Sequence, residues 1–573
     1  MSRVNLFHVR AGLSAAALLF LAIFLAGCGG GAASQQTSSA PVITAFAASP
    51  AEITSGQIST LAWQVTGAMS VQLSNVTAAP ATSSASVVVT PAATTTYTLT
   101  ATNASGSAQQ SATVTVTPAS QIAGVQVDAM SATEPIPANF LSIGQTMGDT
   151  LAMVGTSSTN VNPIYEQLLR NLAQYGNAPL LIRELADGGN SDVYSAGNLS
   201  ALSQVSRDLG AQFFAGVDFV DDDVATATGE AEQLVAGLPG NQLQAIELGN
   251  EPDLYEADYS DYLAQYQEFA PALVSASGGI KLSAPVWAGL SSAFMNNLDS
   301  FISTQASTIA IVTVHHYSGT ACNGSTEPGD YLLTEPAVDG DTQPLTGPVG
   351  IPPYLPAAKQ AGIPFRIGEL NSINCGGQVG VSNSFSSALW AMDISFSYAN
   401  VGVSGVNFFA PGDPNTPNAY TPFDFTPTVG GNGVTTYAVR NINPLYYGLL
   451  LFAQSVQNNA QLLPVTLTTQ ANIKAWATID ANQTIRLLLL NKDQSASGPV
   501  SVALSGYQQA TVTRLTAPSY SSSTGVTLGG QTFDGSVDGT AQGTAYAEIT
   551  QPAVGVYTIA LPSVSAALVT IQP

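Results

Sequence analysis

Two glutamates at the ends of strand-like apolar runs are the residues of this chain best placed to do chemistry. Glu251 follows the run 245–249, and Glu369 ends the run 364–368. A carboxylate at the point where a buried strand opens into a loop is held rigidly by the strand and still reaches solvent. Two such groups are sufficient for the acid and nucleophile chemistry that breaks a glycosidic bond. The leading hypothesis is therefore hydrolysis of a sugar linkage.

The two glutamates have separate roles if they face each other across one site. One carboxyl protonates the leaving oxygen, and the other, about 5 to 5.5 Å away in a retaining enzyme, attacks the anomeric carbon. We expect Glu251 to act as acid and then base, with a pKa raised by its neighbours, and Glu369 to stay ionised as the nucleophile. Asn250 can donate its amide to a sugar hydroxyl. The alternative is a capped turn at 250–253 and a surface salt bridge at Glu369.

The middle of the chain, 122–445, alternates strand-like with helix-like segments. The eight candidate strands are 141–145, 179–185, 212–218, 244–250, 281–286, 310–316, 364–369 and 403–409. Helical patterns lie between them, for example at 163–175, 259–275 and 383–398. Eight such alternations imply parallel strands, and this length fits a closed (β/α)8 TIM barrel better than an open sheet. Glu251 follows the fourth candidate strand and Glu369 ends the seventh, at the strand ends where barrels carry out chemistry.

Two strand-rich regions flank the predicted barrel. Segment 41–118 alternates apolar and small polar residues between Pro and Gly, which is typical of an immunoglobulin-like β-sandwich. Trp63 and Tyr97 are expected in its core, the alternative being a sugar-stacking surface. Segment 446–573 returns to strands and turns and predicts a C-terminal β-sandwich, to which 122–138 can add a strand. The predicted fold class is α/β, with the barrel between two sandwiches.

The first 27 residues have the pattern of a secretory signal. Basic residues precede an apolar run, 11–24, that is too short for a comfortable membrane span. The segment 25–28, Leu-Ala-Gly-Cys, resembles the lipobox of bacterial lipoproteins, which implies cleavage before Cys28 and lipidation of its thiol. A plain signal peptide is the alternative. Residues 28–40 have the composition of a flexible linker. We therefore expect an exported, lipid-anchored protein at the cell surface or in the periplasm, on the outer membrane if the cell has one.

Charge limits the partners of this chain. Thirteen Lys and Arg residues against 37 Asp and Glu residues give a net charge of −24, which repels phosphate backbones and anionic membrane surfaces. We expect no nucleic-acid partner, and contact with a membrane only through the lipid anchor. The same charge repels an anionic sugar at long range, so a uronic acid would have to be recognised by local donors.

Two cysteines remain beyond Cys28, and an oxidising compartment allows them to pair. We expect a disulfide between Cys322 and Cys375, which would link the loop after 315–317 to the loop after Glu369. Two free buried thiols are the alternative.

The motifs around the glutamates are similar to those of a known family. Asn250-Glu251-Pro252 after strand four, with Glu369 at strand seven, resembles the clan A pattern of glycoside hydrolases. Within that clan the chain resembles glycoside hydrolase family 79, the β-glucuronidases and heparanases, over about 122–573. The motifs that carry the resemblance are 139–142, 188–192, 249–253, 315–317, 368–377, 443–448 and 529–535.

The resemblance implies a retaining β-glucuronidase with Glu251 as acid/base and Glu369 as nucleophile. It also implies that Asn190, Asn250, His315 and Tyr317 line the sugar pocket.

The chain departs from the family pattern at three places. After the first strand an acidic residue is replaced, so that the expected contact to a sugar hydroxyl is either missing or made by Gln145. After the nucleophile a Tyr-Gly-Gly segment is replaced by Asn-Cys-Gly-Gly at 374–377, where the amides of Gly376 and Gly377 can still form an anion-binding nest. The segment 183–187 is an insertion before 188 relative to the family pattern. Its Arg183 is expected to steer either a carboxylate or only its neighbour Glu184.

Other conspicuous side chains are assigned structural roles. His315 and His316 are strand neighbours that point to opposite faces, which argues against a metal site. Asp221 to Asp223 are interpreted as a loop and helix start, with a calcium site as the alternative. Trp287 and Trp390 fit core packing as well as sugar stacking, and Tyr255 can stack on a sugar.

These observations favour an exo-β-glucuronidase that acts on an oligo- or polysaccharide without a cofactor. The alternatives are a clan A glycosidase for neutral β-linked sugars and a non-catalytic glycan-binding surface lipoprotein.

Overall fold

The eight strands predicted from the sequence close into one parallel barrel in the computed structural model of the chain. The structure describes residues 39–77, 83–176, 178–186, 194–289, 293–338, 351–412 and 418–573. The predicted signal peptide 1–27, Cys28, all but the last two residues of the linker 28–40, and Asn190 lie outside the described residues. None of the helices in these ranges has the length and apolar character needed to cross a lipid bilayer.

Seven strands form an N-terminal module of two small sheets. The strands up to the barrel are β1 (Val42–Ser49), β2 (Glu52–Thr54), β3 (Ser59–Thr66), β4 (Ser70–Leu73), β5 (Ser84–Val89), β6 (Thr95–Asn103), β7 (Gly106–Thr117) and β8 (Ala123–Val127). One sheet has the order β1-β3-β5 and the other β2-β7-β6-β4. Trp63 and Tyr97 are buried in the shared core, as expected. The immunoglobulin-like class of this module stays a prediction.

The middle of the chain contributes twelve strands, eight of which make the barrel. They are β9 (Leu141–Thr146), β10 (Gly155–Ser157), β11 (Asn160–Val161), β12 (Leu181–Leu185), β13 (Gln212–Val217), β14 (Leu243–Leu248), β15 (Leu282–Trp287), β16 (Ile309–Thr320), β17 (Phe365–Asn374), β18 (Gly405–Phe409), β19 (Phe423–Val429) and β20 (Thr435–Ile442). The barrel runs from β12 to β18 in chain order and closes through β9. Every residue of β9, β12 and β15 is buried, because helices cover the outer face of the barrel.

Nine α-helices surround or follow the barrel strands in the described residues. They are α1 (Thr150–Met153), α2 (Pro163–Ala173), α3 (Ala196–Leu209), α4 (Val224–Gly237), α5 (Tyr259–Ala276), α6 (Leu298–Gln305), α7 (Leu355–Ala361), α8 (Phe385–Val401) and α9 (Pro444–Ser455). Short 3-10 helices lie at Met147–Asp149, Pro252–Leu254, Ala293–Asn297, Cys322–Gly324 and Tyr331–Leu333. The start of α2 is the predicted one: Asn162 accepts hydrogen bonds from the backbone amides of Ile164 and Tyr165, and Pro163 takes the first helical position.

Two further sheets make the C-terminal domain. Their strands are β21 (Gln461–Leu463), β22 (Val465–Thr469), β23 (Ile473–Ile479), β24 (Ile485–Asn491), β25 (Gly498–Ala503), β26 (Ala510–Thr516), β27 (Thr527–Leu528), β28 (Glu548–Thr550), β29 (Val556–Leu561) and β30 (Ser565–Ile571). The larger sheet has the order β21-β23-β24-β30-β26-β27, with β28 also on β26, and the smaller has β22-β8-β25-β29. Strand β8 thus enters the C-terminal domain, where the sequence analysis allowed for an added strand.

The motifs 446–448 and 529–535 join the barrel to this domain. The Tyr447 hydroxyl accepts a hydrogen bond of 2.5 Å from the Phe533 amide and lies 3.1 Å from the Thr532 hydroxyl. A Cβ atom at Gly448 would lie 2.4 Å from the carbonyl oxygen of Ala388, so only glycine allows α9 to pack this closely on α8. Both motifs are therefore structural.

The N-terminal module is docked on the C-terminal domain by polar contacts. The Tyr546 hydroxyl accepts from the Val88 amide at 3.0 Å and donates to the Val88 carbonyl at 2.6 Å. Arg514 forms an ion pair of 2.5 Å with Glu548, whose carboxylate also accepts from the Thr90 amide at 3.1 Å. These contacts tie the edge strand β5 to β26 and β28.

Candidate active site

Glu251 and Glu369 meet at the C-terminal end of the barrel strands. Glu251 follows β14 in a left-handed turn, with φ values of 71° at Gly249 and 52° at Glu251 itself. Its amide donates to the Val286 carbonyl at 3.0 Å, which fixes the turn against β15. Glu369 lies in β17, in register with His315 of β16. One oxygen of each carboxylate and one ring nitrogen of His315 lie within 4.8 Å of one another.

Arg183 of β12 is fully buried, and its three side-chain nitrogens donate hydrogen bonds to three different acceptors. Nε donates to Glu247 at 2.7 Å, Nη1 to Glu369 at 2.5 Å, and Nη2 to the Asn250 side-chain oxygen at 3.0 Å. Burial opposes the charge, but Glu247 and Glu369 together hold the pKa of Arg183 above its ordinary value. Arg183 is therefore a fixed positive charge that holds the Glu369 side chain in place by a charge-assisted hydrogen bond. The predicted alternative in which Arg183 steers only Glu184 is wrong, because its ion pairs are with Glu247 and Glu369.

Glu251 has different surroundings from Glu369. Its side chain keeps 23% of its surface exposed, against 8% for Glu369. Burial raises the pKa of Glu251, and the charge of Arg183 lowers it in part. Its Oε1 lies 2.9 Å from His315 Nδ1, and burial together with Arg183 lowers the pKa of His315 to about 3. The imidazole is thus neutral at neutral pH and shares a hydrogen bond with Glu251 instead of an ion pair. Two carboxyls in contrasting environments can serve as acid and nucleophile.

Tyrosine side chains and a glycine turn stand beside Glu369. The Tyr317 hydroxyl donates to Glu369 Oε1 at 2.5 Å, and the rings of Tyr317 and Tyr420 are 5.9 Å apart. Burial and the charge of Glu369 raise the pKa of Tyr420, and the neighbouring Tyr317 hydroxyl and Gly376 backbone N–H lower it in part. Gly376 and Gly377 have φ values of 89° and 79°, and a Cβ at Gly377 would lie 2.8 Å from the Tyr420 amide nitrogen. Hydroxyl and amide groups therefore converge next to Glu369.

Cys322 and Cys375, which the sequence analysis pairs, form a disulfide with a Cα–Cα distance of 5.3 Å. A second clamp lies close by: the Glu327 amide donates to Gln378 Oε1 at 2.7 Å, and Gln378 Nε2 donates to the Glu327 carbonyl at 2.8 Å. Together they join the segment after β16 to the segment after β17 on both sides of Gly376.

Gln145 is directed away from the sugar side of the barrel. It is fully buried, its Nε2 donates to Glu184 at 2.6 Å, and its Oε1 accepts from the Tyr165 hydroxyl of α2 at 2.8 Å. The preceding Gly144 faces Arg183, and side chains alternate along a strand, so Gln145 points to the helix layer. The predicted sugar contact of Gln145 is therefore wrong. Asn190, also predicted to line the pocket, lies outside the described residues.

His315 and His316 take opposite faces of β16. His316 Nδ1 lies 2.5 Å from the Tyr398 hydroxyl of α8, whereas His315 faces Glu251. Two carboxylates and His315 are close enough to share a metal ion. The guanidinium of Arg183 already occupies Glu369 Oε2, however, and its charge opposes a cation at that oxygen.

The other aromatic and acidic side chains discussed from the sequence lie outside the catalytic pair. Trp287 and Trp390 are fully buried in the core, while Tyr255 keeps 38% of its surface exposed. Asp223 caps α4, accepting from the Ala225 amide at 3.0 Å, which matches the expected helix start.

Two side chains next to the site, those of Glu247 and Tyr420, were not predicted from the sequence. Glu247 lies four residues before Glu251, and its period-2 position in a strand was a usable signal for an inward side chain. Tyr420 reaches the site from a segment beyond β18, and no local pattern marks it.

Comparison with known proteins places this chain among sugar hydrolases. Residues 475–568 match the glycosyl hydrolase family 79 C-terminal beta domain. A β-glucuronidase from Aspergillus niger is 26% identical over 385 residues, which cover 58% of this chain and 67% of that protein.

Solved structures share the fold. A 4-O-α-L-rhamnosyl-β-D-glucuronidase from Fusarium oxysporum 12S superposes with a TM-score of 0.60 at 19% identity, covering 78% of this chain and 100% of that chain. A family 51 α-L-arabinofuranosidase from Bifidobacterium longum gives a TM-score of 0.56 at 14% identity, with 79% and 100% coverage. At these identities the likeness concerns the fold alone.

Proposed function

We propose that this glycoside hydrolase belongs to family 79 and releases terminal β-linked glucuronic acid from glycans by double displacement. The observation that carries the mechanism is the approach of Glu251 and Glu369, whose closest oxygens are within 4.8 Å. An inverting enzyme needs a gap of about 6.5 to 9.5 Å to admit a water molecule between its carboxyl groups. The observed spacing favours retention.

In the first step Glu369 attacks the anomeric carbon while Glu251 protonates the leaving oxygen. The carbon–oxygen bond to the aglycone breaks, its electron pair takes the proton of Glu251, and an ester forms between Glu369 and the sugar. Arg183 and Tyr317, both hydrogen-bonded to Glu369, aim its oxygens. Asn250, held by Arg183, presents its amide to a sugar hydroxyl.

In the second step Glu251, now a carboxylate, removes a proton from water. The water oxygen attacks the anomeric carbon, the ester bond breaks, and Glu369 leaves with the electron pair as a carboxylate. His315 is neutral and bonded to Glu251, so it can orient the carboxyl through both steps without competing for the proton.

Local donors near Glu369 support a uronic acid as the sugar. The backbone N–H groups at Gly376 and Gly377 and the hydroxyl of Tyr420 offer hydrogen bonds to a sugar carboxylate, whereas the Tyr317 hydroxyl already donates to Glu369. The name of the Aspergillus niger relative, a β-glucuronidase, agrees with this choice. The segment 374–377 lacks the family tyrosine, and Tyr420, which reaches the same place from another segment, can take over its role.

A panel of 4-nitrophenyl β-glycosides tests the proposal. We expect turnover of the glucuronide and none of the glucoside or xyloside, with β-glucuronic acid as the first product seen by ¹H NMR. Turnover of a neutral glycoside alone would assign the chain to neutral sugars, and an α first product would contradict retention. Silence on all substrates, with retained binding to a glycan, would make the protein a binding lipoprotein.

We further propose that the mature protein is exported and anchored by lipid at Cys28. The motif at 25–28 supports the anchor, and the linker composition up to residue 40 supports a tether. Labelling of cells with a radioactive fatty acid should mark the wild-type protein and leave a Cys28→Ala variant unlabelled. Equal labelling of both would contradict lipidation at this residue.

A further inference from the structure

Glu247 is a second buried carboxylate on Arg183, and the two proposed reaction steps do not use it. Glu247 and Arg183 both have no exposed side-chain surface, and their ion pair is 2.7 Å long. The other carboxylate oxygen of Glu247 accepts from the Ser283 hydroxyl at 3.1 Å, and Ser283 lies 2.9 Å from the Thr313 hydroxyl. A polar chain thus runs inside the barrel from β16 through β15 and β14 to β12.

One guanidinium therefore serves two carboxylates, only one of which changes charge in the reaction. Arg183 reaches Glu369 with Nη1 and Glu247 with Nε. When Glu369 becomes an ester, it loses its negative charge. A fully buried cation without a counter-ion is costly, so Arg183 needs a partner that stays ionised through the covalent intermediate. Burial raises the pKa of Glu247, while the charge and hydrogen bond of Arg183 and the hydrogen bond from Ser283 lower it in part. The ion pair of 2.7 Å makes Glu247 the carboxylate placed to remain with Arg183.

We propose that Glu247 is a positioning residue that holds Arg183 in place and keeps its charge balanced while Glu369 is esterified. The inference rests on the proposed roles of Glu251 and Glu369. Without Glu247 the undivided charge of Arg183 would stabilise the Glu369 carboxylate over the ester. Formation of the intermediate would then slow, while its hydrolysis, which restores the carboxylate, would not.

The variant Glu247→Gln isolates the charge. Its side-chain oxygen can still accept from Arg183 Nε, so the volume and one hydrogen bond are kept. We expect trapping by a 2-deoxy-2-fluoro-β-glucuronosyl fluoride to slow by about a hundredfold, and reactivation of the trapped enzyme to be equal or faster. A purely structural defect would slow both steps.

Glu184→Gln is the matched control. Glu184 follows Arg183 in β12 and is as fully buried as Glu247. Its carboxylate accepts hydrogen bonds from Gln145 and Thr150 on the helix side of the strand. This variant should keep both rates within about twofold, because the removed charge does not contact Arg183. Thermal melting of each variant checks folding, and mass spectrometry should place the trapped sugar on Glu369.

Glu247→Asp is a second variant in case Glu247→Gln does not fold. It keeps the charge and shortens the side chain, so both rates should fall while their ratio stays near that of the wild type. Unchanged trapping in folded Glu247→Gln, or an equal loss in both steps, would overturn the proposal. A changed ratio of trapping to reactivation rates in Glu247→Asp would also overturn it.

If the wild type is trapped only by the corresponding 2-deoxy-2-fluoro-β-glucosyl fluoride, the sugar assignment fails, while the same comparison of variants still tests Glu247. A wild type that neither reagent traps would reject the proposed function, and the role of Glu247 with it.

Discussion

Arg183 connects most of the side chains that matter at the residue scale. It touches Glu247, Glu369 and Asn250 from one buried guanidinium, so a single side chain sets both the charge and the direction of several others. Glu251 lies outside this direct network and bonds to a neutral His315. This contrast in surroundings supports the proposed roles of Glu369 as nucleophile and Glu251 as acid.

Substitution of each glutamate should give a different kinetic signature. Glu369→Gln removes the attacking carboxylate and should lower kcat by at least about a thousandfold on every substrate. Glu251→Gln should be as damaging for a natural glycan but milder for a 2,4-dinitrophenyl glucuronide, whose leaving group needs no proton. Steady-state kinetics on both substrates measure the difference. A wild-type rate in either variant, or equal losses of Glu251→Gln on both substrates, would contradict the assignment.

The pH dependence should report the raised pKa of Glu251. Burial raises that pKa and Arg183 offsets part of the effect, so the acid form persists above the ordinary range of a glutamate. Because Glu251 must be protonated to act, kcat/KM should fall as pH rises through its pKa. His315, with a pKa of about 3, should add no step near neutrality. The profile on an aryl glucuronide checks this; a limb with the ordinary glutamate pKa would argue against Glu251 as the acid.

At the element scale, the ends of β16 and β17 are built as one unit. The disulfide 322–375 and the reciprocal hydrogen bonds of Gln378 and Glu327 clamp the two segments together. Between the clamps lie Gly376 and Gly377, the candidate donors for a sugar carboxylate. The shape of this binding segment therefore depends on contacts between strands as well as on its own sequence.

Removal of the disulfide should affect binding more than chemistry. The bond closes a separation of 53 residues, for which chain entropy predicts a loss of at most about 4 kcal/mol of unfolding free energy. In a Cys322→Ser/Cys375→Ser variant we expect KM for the glucuronide to rise severalfold with kcat changed less, because Glu369 is held separately by Arg183. Unchanged KM in a folded variant would show that the segment does not bind the sugar.

At the scale of the whole molecule, three parts are joined by specific contacts. Tyr447 ties the barrel to the C-terminal domain, and Tyr546 ties the N-terminal module to it. The chain as a whole carries a net charge of −24, while the site concentrates its positive charge in the buried Arg183. Arg183 is already paired with Glu247 and Glu369, so it does not offset the long-range repulsion of an anionic sugar, and uncharged donors would have to bind such a substrate.

Salt should consequently help an anionic substrate. Raising NaCl from about 20 mM to about 200 mM screens the long-range field, and kcat/KM for the glucuronide should rise about two- to fivefold. A neutral aryl glycoside, if it is turned over at all, should show no such increase and serves as the control. A fall in kcat/KM with salt would indicate an attractive field at the site, contrary to the net charge.

Much of the architecture followed from local patterns. Periodic apolar runs marked all eight barrel strands, Asn162 and Pro163 marked the start of α2, and strand-end positions marked Glu251 and Glu369. These features depend on neighbours in the chain, which a sequence displays directly. The order of parallel strands then placed both glutamates at one end of the barrel, since parallel strands share their C-terminal edge.

Only the tertiary structure decided which side chains face the site. Gln145 points to α2 while Arg183 points inward, because the barrel sets the face of each strand residue and a slip of one position reverses it. Tyr420 and Glu247 reach the site through contacts between distant segments, and the burial that shifts the pKa of Glu251 and His315 exists only after folding. Residue types and spacing determined the class of chemistry. Packing decided how its charges are held.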